Sequence, residues 1–369
     1  MTRRRIKILI SGGGTGGHVF PAIAIADAIR EMDGSTEILF VGARHKMEME
    51  RVPESGYSIE GLPVTGFQRR VTIKNAGFFF NLLISMVKAR TILKNFKPDV
   101  VVGVGGYASG PVARAAASKG IPVLIQEQNS YAGVTNRMLA PHAEKVCVAW
   151  EGMDKYFPPA KIVFTGNPVR RGLDSLAHRR TEALARFGLE GNGKVLLVTG
   201  GSLGAGSINR SLTGNIDLLA GSGIELIWQT GKTDYEEAAA LAAREGLENI
   251  HVYEFIKDMD LAYAAADAVI ARAGAITISE LCVAGKPAVL VPSPNVAEDH
   301  QTKNAMALVE REAAVLIADN DAPQRLVADT VELLADDGRL EKLGRNISAL
   351  GRTGAAGQIA GEILKLVKK

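Results

Sequence analysis

The sequence predicts an α/β protein built from two doubly wound, Rossmann-like domains that face each other across a cleft. Short β-branched runs alternate with helical patterns along the whole chain, and a unit of strand, glycine loop and helix occurs twice. Such alternation is typical of parallel sheets covered by helices on both faces. The length of 369 residues also exceeds what a single core accommodates.

The predicted strands fall into two groups. The first covers residues 6–10, 37–41, 100–104 and 123–125, and the second covers residues 195–199, 226–228, 269–271 and 289–291. The repeated unit spans residues 5–17 and recurs in character at 194–206. Two similar domains in tandem are the simplest explanation of this repeat.

The domain boundary is predicted at Thr165-Gly-Asn-Pro-Val-Arg170, where a turn-forming Gly-Asn-Pro separates a strand from a charged segment. We therefore expect an N-terminal domain over residues 1–167 and a C-terminal domain over 168–345. Residues 346–369 carry apolar side chains at helical spacing, which predicts a final helix. This helix can pack on either domain, including back onto the N-terminal one.

Composition and charge narrow the class of protein. A net charge of +3 is too small to predict a nucleic-acid partner. Cys147 and Cys282 are flanked by apolar residues, which favours two buried free thiols in a reducing compartment. No apolar run reaches the roughly 18 residues that span a bilayer, and the run after Arg5 is shorter than a signal-peptide core. We therefore expect a cytoplasmic protein that at most lies on a membrane.

Glycine loops follow three of the predicted strands, at residues 12–17, 103–111 and 200–206. Unpaired N–H groups at a helix start carry partial positive charge, so a glycine turn before a helix can bind a phosphate. Three such loops exceed what one dinucleotide requires, which indicates two separate diphosphates, one in each domain. For the loop at 103–111, a plain strand-to-helix turn remains an equally good interpretation.

The first loop, Gly12-x-Gly14-x-x-Gly17, also matches the dinucleotide-binding fingerprint. The acid expected to bind the ribose is missing, and Arg44 after the second strand suits a 2′-phosphate instead. An NADP-dependent oxidoreductase is therefore an alternative.

Together the motifs resemble the MurG family of N-acetylglucosaminyltransferases, which have the two-domain GT-B architecture. The resemblance is carried along the whole chain by Gly13-Gly-Thr-Gly-Gly-His-Val-Phe-Pro21, Gly105-Gly-Tyr-Ala-Ser-Gly-Pro111, Gln126-Glu-Gln-Asn129, Thr165-Gly-Asn-Pro-Val-Arg170, Gly200-Gly-Ser-Leu-Gly-Ala205, Arg272-Ala-Gly-Ala-Ile-Thr-Ile-Ser-Glu280 and Asp299-His-Gln-Thr-Lys-Asn-Ala305. Leu203 departs from the pattern, because the family often has glutamine there. The resemblance implies inverting transfer of N-acetylglucosamine from UDP-N-acetylglucosamine to the muramyl 4-hydroxyl of undecaprenyl-diphosphate-linked lipid I, which forms lipid II. A UDP-sugar epimerase on the same scaffold and a non-catalytic nucleotide-sugar sensor are further alternatives.

The resemblance also implies roles for individual residues. Thr15, Gly16 and Gly17 are expected near the transferred sugar and the diphosphates, and Asn129 and Arg170 on the N-terminal side of the cleft. The acceptor diphosphate is expected at Gly13, Gly14, Gly105, Gly106 and Tyr107. The donor is expected in the C-terminal domain, with its phosphate at Ser202, its uracil at Ile256, its diphosphate at Ala275, Ile276 and Thr277, its ribose at Glu280 and its sugar at Gln301.

Anomeric inversion in one displacement needs a base for the acceptor hydroxyl and a stabilised leaving group. His18 is the first candidate base because a helix start favours a neutral imidazole, and Glu127 is the second. Capping of the loop or contact with acceptor phosphate is the alternative role of His18. Helix N–H groups and Ser202 are expected to neutralise the departing UDP, so neither a cofactor nor a metal is predicted. Asp258-Met259-Asp260 resembles the acid-x-acid motif that binds a metal ion in other glycosyltransferases, but we interpret it as a helix cap.

Residues 61–98 contain no Asp or Glu, and they carry the main local positive charge of the chain. The cations are Arg69, Arg70, Lys74, Lys88, Arg90, Lys94 and Lys97. Phe78, Phe79, Phe80 and Leu83 begin a helix that is apolar around more than a core-facing stripe. We expect this segment, with Lys88 and Arg90, to bind anionic lipid on the cytoplasmic side of the inner membrane as a peripheral protein. A buried helix with solvated ends is the alternative.

Overall fold

A computed structural model describes residues 4–64, 74–170, 172–173, 175–201 and 203–367. The chain divides into two compact units. Unit 1 comprises Met1–Val169 and Gly354–Lys369, and unit 2 comprises Arg170–Thr353. Each unit contains one fully parallel sheet with helices between its strands, which confirms the predicted fold class.

Unit 1 is built on a seven-stranded sheet in the order β3-β2-β1-β4-β5-β6-β7. Its strands, labelled in chain order, are β1 (Lys7–Ser11), β2 (Glu37–Ala43), β3 (Ser58–Leu62), β4 (Val100–Gly103), β5 (Val123–Glu127), β6 (Lys145–Val148) and β7 (Ile162–Phe164). Its α-helices are α1 (Gly16–Met32), α2 (Glu48–Glu54), α3 (Lys74–Phe96), α4 (Ser109–Ala117), α5 (Val134–Leu139) and the last helix of the chain, α15 (Ala355–Lys365). Short 3₁₀ turns lie at Ala140–His142, Met153–Lys155 and Pro159–Lys161.

Unit 2 is built on a six-stranded sheet in the order β10-β9-β8-β11-β12-β13. Its strands are β8 (Val195–Thr199), β9 (Glu225–Gln229), β10 (Ile250–Tyr253), β11 (Ala268–Ala271), β12 (Ala288–Leu290) and β13 (Val315–Leu316). Its α-helices are α6 (Arg180–Phe187), α7 (Gly206–Thr213), α8 (Ile216–Gly221), α9 (Tyr235–Arg244), α10 (Met259–Ala265), α11 (Ala275–Ala284), α12 (His300–Val309), α13 (Ala322–Ala335) and α14 (Asp337–Ala349). Short 3₁₀ turns lie at Leu176–His178 and Ala297–Asp299.

Successive side chains of a strand point to opposite faces of the sheet. In unit 1 both faces are buried, each by its own apolar cluster. In β1, Leu9 belongs to one apolar cluster, while Ile8 and Ile10 belong to the other. The second cluster also contains Ile359 and Ile363 of α15, which packs against α1. The end of the chain is therefore part of the core of unit 1.

Both cysteines are free and buried, Cys147 on β6 and Cys282 on α11. This confirms the prediction of two buried free thiols. Burial raises the pKa of each thiol to about 12. Both side chains are therefore uncharged at neutral pH and act as small apolar core residues.

The strand order reverses once in each sheet, between β1 and β4 in unit 1 and between β8 and β11 in unit 2. All strands in a parallel sheet end at the same edge, and the connections leave a reversal point in opposite directions. This opens a crevice at the carboxyl ends of the strands, where ligands bind in such folds. The glycine loops predicted from the sequence follow β1, β4 and β8, so they lie at these two points.

Candidate active site

The two glycine loops of unit 1 lie against each other at the reversal between β1 and β4. A side chain at Gly106 would overlap the backbone of Gly13, and a Cβ atom on Gly12 would stand 2.9 Å from the carbonyl oxygen of Gly105. Gly13, Gly14, Gly105 and Gly106 have φ values of 141°, 90°, 93° and 81°, which glycine adopts at little cost. The residues predicted to bind the acceptor diphosphate are therefore brought together by backbone contact. Tyr107 follows them and is half exposed.

His18 lies at the junction of these loops, in the first turn of α1. A Cβ atom on Gly105 would stand 2.7 Å from its imidazole edge, and its Nδ1 lies 3.2 Å from Thr15 Oγ1. A tautomer with the proton on Nδ1 donates to Thr15 and leaves Nε2 as the basic nitrogen. Thr15 and Gly17 are exposed, so the first turn of α1 is open to a ligand.

Glu127, the second candidate base, is buried at the end of β5 and surrounded by N–H donors. Its Oε1 accepts from the backbone and side-chain nitrogens of Asn129 at 3.0 and 3.1 Å. Its Oε2 accepts from Gly133 N at 3.0 Å and from Asn136 Nδ2 at 2.9 Å. Four donors hold the carboxylate in place and occupy both of its oxygens. This geometry favours His18 as the base and gives Glu127 the task of shaping the loop that carries Asn129.

A buried amide network that we did not predict joins the ends of β4 and β5 to the segment after β7. Gln126 Nε2 donates to Asn167 Oδ1, and Asn167 Nδ2 donates to the carbonyl oxygen of Gln128, both at 2.9 Å. Gln128 Nε2 donates to the carbonyl oxygen of Val104 at 2.8 Å and also to Gln126 Oε1. The signal in the sequence is the polar run Gln126-Glu-Gln-Asn129 directly after an apolar strand.

In unit 2, Glu280 of α11 is only 6 % exposed and both its oxygens are bonded. Arg170 Nε donates to Oε1 at 2.7 Å, and the Tyr263 hydroxyl donates to Oε2 at 3.2 Å. Burial alone would lower the pKa of Arg170, but the Glu280 carboxylate outweighs it and raises that pKa. Burial, assisted by Glu280, raises the pKa of Tyr263 well above its usual value, so its hydroxyl remains a donor. The structure thus places Arg170 in unit 2 beside Glu280, not on the N-terminal side as expected.

The glycine loop after β8 is joined to the Ile256 segment by Gln229, at the end of β9. Gln229 Nε2 donates to Thr199 Oγ1 at 3.1 Å and to the carbonyl oxygen of Gly201 at 3.0 Å. Its Oε1 accepts from Ile256 N at 2.8 Å, so the N–H group of Ile256 is satisfied within the unit. Gln229 is a site residue that no local sequence pattern predicted. Ser202, predicted to bind a donor phosphate, lies outside the described residues.

Arg272 connects the loops that follow four strands of unit 2. Its guanidinium donates to the carbonyl oxygens of Val291 and Pro292 at 3.0 and 3.2 Å, to Ser207 Oγ at 2.7 Å and to Asp319 Oδ1 at 2.5 Å. Ser207 Oγ also donates to Asp319, at 2.6 Å. Burial would raise the pKa of Asp319, but the bonds from Ser207 and Arg272 lower it. This ion pair holds the reversal point of unit 2 together.

The remaining predicted residues of unit 2 lie at two helix starts. Ala275, Ile276 and Thr277 form the first turn of α11, directly after β11. Gln301 lies in the first turn of α12, where its Oε1 accepts from Ser293 N at 2.8 Å. That bond fixes the orientation of the Gln301 amide group.

The acidic side chains of Asp258-Met259-Asp260 form ion pairs, and Asp258 does not cap a helix through its side chain. Asp258 occupies the N-cap position of α10 without a side-chain capping bond, so the predicted capping role is wrong. Its carboxylate pairs instead with Arg186 at 2.9 Å, and Asp260 pairs with Arg179 at 2.5 Å. Across the described residues, no group of three or more His, Cys, Asp or Glu side chains is arranged to hold a metal ion.

Comparison with protein families defines the class to which this fold and these sites belong. The Glycosyltransferase family 28 N-terminal domain matches residues 8–148, and the Glycosyltransferase family 28 C-terminal domain matches residues 195–358. The two matches cover most of unit 1 and most of unit 2.

Individual relatives make the assignment more specific. The UDP-N-acetylglucosamine–N-acetylmuramyl-(pentapeptide) pyrophosphoryl-undecaprenol N-acetylglucosamine transferase of Parabacteroides distasonis is 54 % identical, over 99 % of this chain and 100 % of its own. The crystal structure of Acinetobacter baumannii MurG has a TM-score of 0.80 and 30 % identity, over 98 % and 99 % of the two chains. The UDP-GlcNAc 2-epimerase of Neisseria meningitidis shares the fold alone, with a TM-score of 0.65 and 15 % identity over 98 % and 100 %. The chain belongs to the MurG family of glycosyltransferases, and it has the GT-B architecture that the sequence predicted.

We expect Arg170→Met to destabilise unit 2. The substitution removes the cation that pairs with the buried Glu280 carboxylate and leaves the hydrogen bond from Tyr263. Since Arg170 is itself partly exposed, the free energy of unfolding should fall by about 1–2 kcal/mol, less than for a fully buried pair. Urea unfolding, followed by hydrogen exchange of peptides from α11, measures the change. Arg186→Met is the matched control, because its pair with Asp258 lies on the surface and should change stability by about 0–1 kcal/mol. Equal effects of the two substitutions would contradict the importance of the Arg170–Glu280 pair.

Proposed function

We propose that this protein is an inverting hexosyltransferase that transfers N-acetylglucosamine from UDP-N-acetylglucosamine to the 4-hydroxyl of the muramyl sugar of lipid I. The product is lipid II, the precursor of peptidoglycan. The observation that carries this proposal is the 54 % identity to a named transferase over the full length of both chains. Glycine loops at both reversal points support it, because donor and acceptor each contain a diphosphate.

Unit 2 is proposed to bind the donor. The first N–H groups of α11, at Ala275, Ile276 and Thr277, lie after the end of β11, where they can donate hydrogen bonds to a diphosphate. Glu280 would accept hydrogen bonds from the ribose hydroxyls, sharing its carboxylate with Arg170 or exchanging partners. For the other contacts we keep the sequence-based assignments, in which Ser202 binds a donor phosphate, Ile256 the uracil and Gln301 the sugar.

Unit 1 is proposed to bind the acceptor diphosphate at the contact between its glycine loops. The binding groups are the open first turn of α1, at Thr15, Gly16 and Gly17, together with the loop at Gly105, Gly106 and Tyr107. Asn129 is proposed to contact the transferred sugar from the loop that Glu127 shapes.

The chemistry is one displacement with balanced proton transfer. The acceptor 4-oxygen attacks the anomeric carbon, the bond from that carbon to the phosphate oxygen breaks, and the electron pair leaves on UDP. His18 Nε2 takes the proton of the attacking hydroxyl. The N–H groups of α11 and the glycine loop after β8 stabilise the charge that develops on UDP.

The alternative functions have weaker support. A UDP-sugar epimerase is supported by the fold alone. An NADP-dependent oxidoreductase was an alternative because Arg44 suits a 2′-phosphate. In the structure, Arg44 Nε donates to the carbonyl oxygen of Gly61 at 3.2 Å. Arg44 therefore already serves to join β2 to β3.

A transfer assay tests the proposed function directly. The purified protein, mixed with labelled UDP-N-acetylglucosamine and lipid I in detergent, should move label into the lipid fraction and release one UDP for each labelled lipid. Release of UDP without labelled lipid, or interconversion of the sugar at its 2-position, would overturn the proposal. Quenching of NADPH fluorescence on mixing would instead support the oxidoreductase.

We expect His18→Ala to lower kcat by about 10²–10⁴-fold, because it removes the proton acceptor, while the KM for the donor stays within about twofold. Steady-state kinetics with each substrate varied in turn measures both constants. His142→Ala replaces an exposed histidine of the same unit and should leave kcat unchanged. A His18 variant with normal turnover would show that another group accepts the proton.

Helix α3 of unit 1 has two apolar faces. Ala89 and Ile92 are buried, whereas Phe80, Leu83 and Val87 are 64 %, 66 % and 63 % exposed on another side. A helix that covers the core with one stripe gains nothing from the second in water. No helix in the described part of the chain has the length and apolarity to cross a bilayer.

We propose that this second face lies on anionic lipid at the cytoplasmic side of the inner membrane. Arg90 is exposed beside it, whereas Lys88 Nζ donates to the carbonyl oxygen of Gly61 at 2.8 Å and is partly held by the protein. The side chains of Phe78 and Phe79, also predicted to bind membrane, lie outside the described residues, as do Arg69 and Arg70.

We expect Phe80→Asp combined with Leu83→Asp to reduce sedimentation with phosphatidylglycerol-containing vesicles by about tenfold or more, because the exposed face loses apolar area and gains negative charge. Leu218→Asp, at a 43 % exposed leucine of unit 2, is the control. Circular dichroism confirms that the variants are folded. Undiminished sedimentation of the double variant would mean that α3 does not contact lipid.

A further inference from the structure

Behind the first glycine loop, on α2, lies a carboxylate to which the sequence analysis gave no role. Glu48 is 1 % exposed. Its Oε1 and Oε2 both accept from Gly14 N, at 3.0 and 2.9 Å, and Oε1 also accepts from Ala43 N at 2.9 Å. These donors are backbone N–H groups, and no described cation forms an ion pair with Glu48. The glycine loop therefore binds an anion that belongs to the protein itself.

Two glycines make room for this carboxylate. A Cβ atom on Gly13 would overlap the Glu48 carboxylate, and one on Gly42, near the end of β2, would stand 2.5 Å from Glu48 Cγ. Replacing either glycine would thus push Glu48 away from the loop. Gly13 and Gly42 are needed for the fit of Glu48 as well as for the turn.

The contact with Gly14 controls where the site of unit 1 can bind an anion. Because Gly14 N–H points inward to Glu48, it is not available to a phosphate on the outer side of the loop, which corrects the prediction that Gly14 binds the acceptor diphosphate. The next residues, Thr15 to Gly17, contain the first N–H groups of α1 and lead to His18. A negative charge behind Gly14 also repels a phosphate placed too deep in the loop. Both effects move a bound diphosphate toward the helix start and His18.

A glycine loop with positive φ at Gly13 and Gly14 has many accessible conformations. A side chain that holds Gly14 N–H between two oxygens selects one of them, and with it the direction in which α1 begins. The same loop touches Gly106 of the second loop, so the position of Gly14 affects both.

We propose that Glu48 is a positioning residue for the lipid-linked diphosphate acceptor: it holds the first glycine loop so that the start of α1 and His18 receive the diphosphate. The inference rests on the proposed transferase function. It assigns Glu48 no contact with substrate and no proton transfer. It predicts a defect confined to the acceptor.

Glu48→Gln tests the proposal. The amide keeps the size of the side chain, but its NH₂ group replaces one of the two oxygens that accept hydrogen bonds from backbone N–H groups. We expect the KM for lipid I to rise about tenfold or more and kcat to fall, with the KM for UDP-N-acetylglucosamine within about twofold of wild type. Glu50→Gln is the matched control, since Glu50 is an exposed residue of the same helix. The control should match wild type in all three constants.

Gly42→Ala is the second variant, because it displaces Glu48 while keeping the charge. It should reproduce the acceptor defect, and binding of UDP by calorimetry should be normal in both variants. Normal KM for lipid I in Glu48→Gln overturns the proposal, as does a loss of activity that matches the loss of folded protein with unchanged KM values. Failure of both variants to fold also overturns it, in favour of a purely structural role. If wild-type protein transfers no label to lipid I, the proposed function has failed instead.

Discussion

Close contact between main chains at the carboxyl ends of the strands of each sheet is the constraint on which the rest of this structure depends. The carboxyl ends of β1 and β4 bring two loops so close that Gly106 has no room for a side chain beside Gly13. In unit 2, Gly204 is likewise pressed against the backbone of Thr230. Glycine at these positions lets the following helices begin directly at the sheet edge. Their unpaired N–H groups then face the crevice, which is what a diphosphate requires.

The two units support similar loops with different chemistry. In unit 1 the loop after β1 is held from behind by the carboxylate of Glu48, through backbone N–H groups alone. In unit 2 the loop after β8 is held by the neutral amide of Gln229, and the helix that follows it is joined to β13 through Ser207, Arg272 and Asp319. A carboxylate behind one loop and an amide behind the other give the two loops different electrostatic surroundings. The repeat visible in the sequence is therefore a repeat of backbone geometry, and a different side chain supports the loop in each unit.

Much of the fold could be predicted because buried parallel strands are short apolar runs, and glycine loops follow three of them, β1, β4 and β8. All eight predicted strands are present, with small shifts at their ends, such as Lys7–Ser11 for residues 6–10. The missed strands include β3 and β13 at the sheet edges, where fewer apolar residues are needed: β3 contains Glu60, and β13 has only Val315 and Leu316. Sheet edges expose more of the chain, so their sequences resemble loops.

The candidate site was predictable only in part, for a physical reason. The glycine loop at the start of α1 is a local pattern, and it led to His18, whereas Asn129 and Glu280 were expected only from the family resemblance. The partners of a side chain depend on tertiary contacts, which local patterns do not contain. Nothing in Lys46-Met-Glu-Met-Glu50 distinguishes the buried Glu48 from the exposed Glu50, and nothing near Asp258 indicates that Arg186 is its partner.

The same contacts explain how two acids can lie beside the loops of unit 1 without exposing their carboxylates at its edge. Glu48 and Glu127 are each 1 % exposed, and both turn their oxygens toward backbone or amide N–H groups of their own unit. Both carboxylates thereby hold loops in place, and neither is exposed at the outer surface. What remains at the surface is the open start of α1 with Thr15 and the half-buried imidazole of His18. A neutral base beside N–H donors can accept a proton next to a diphosphate, whereas a free carboxylate there would repel the substrate it has to activate.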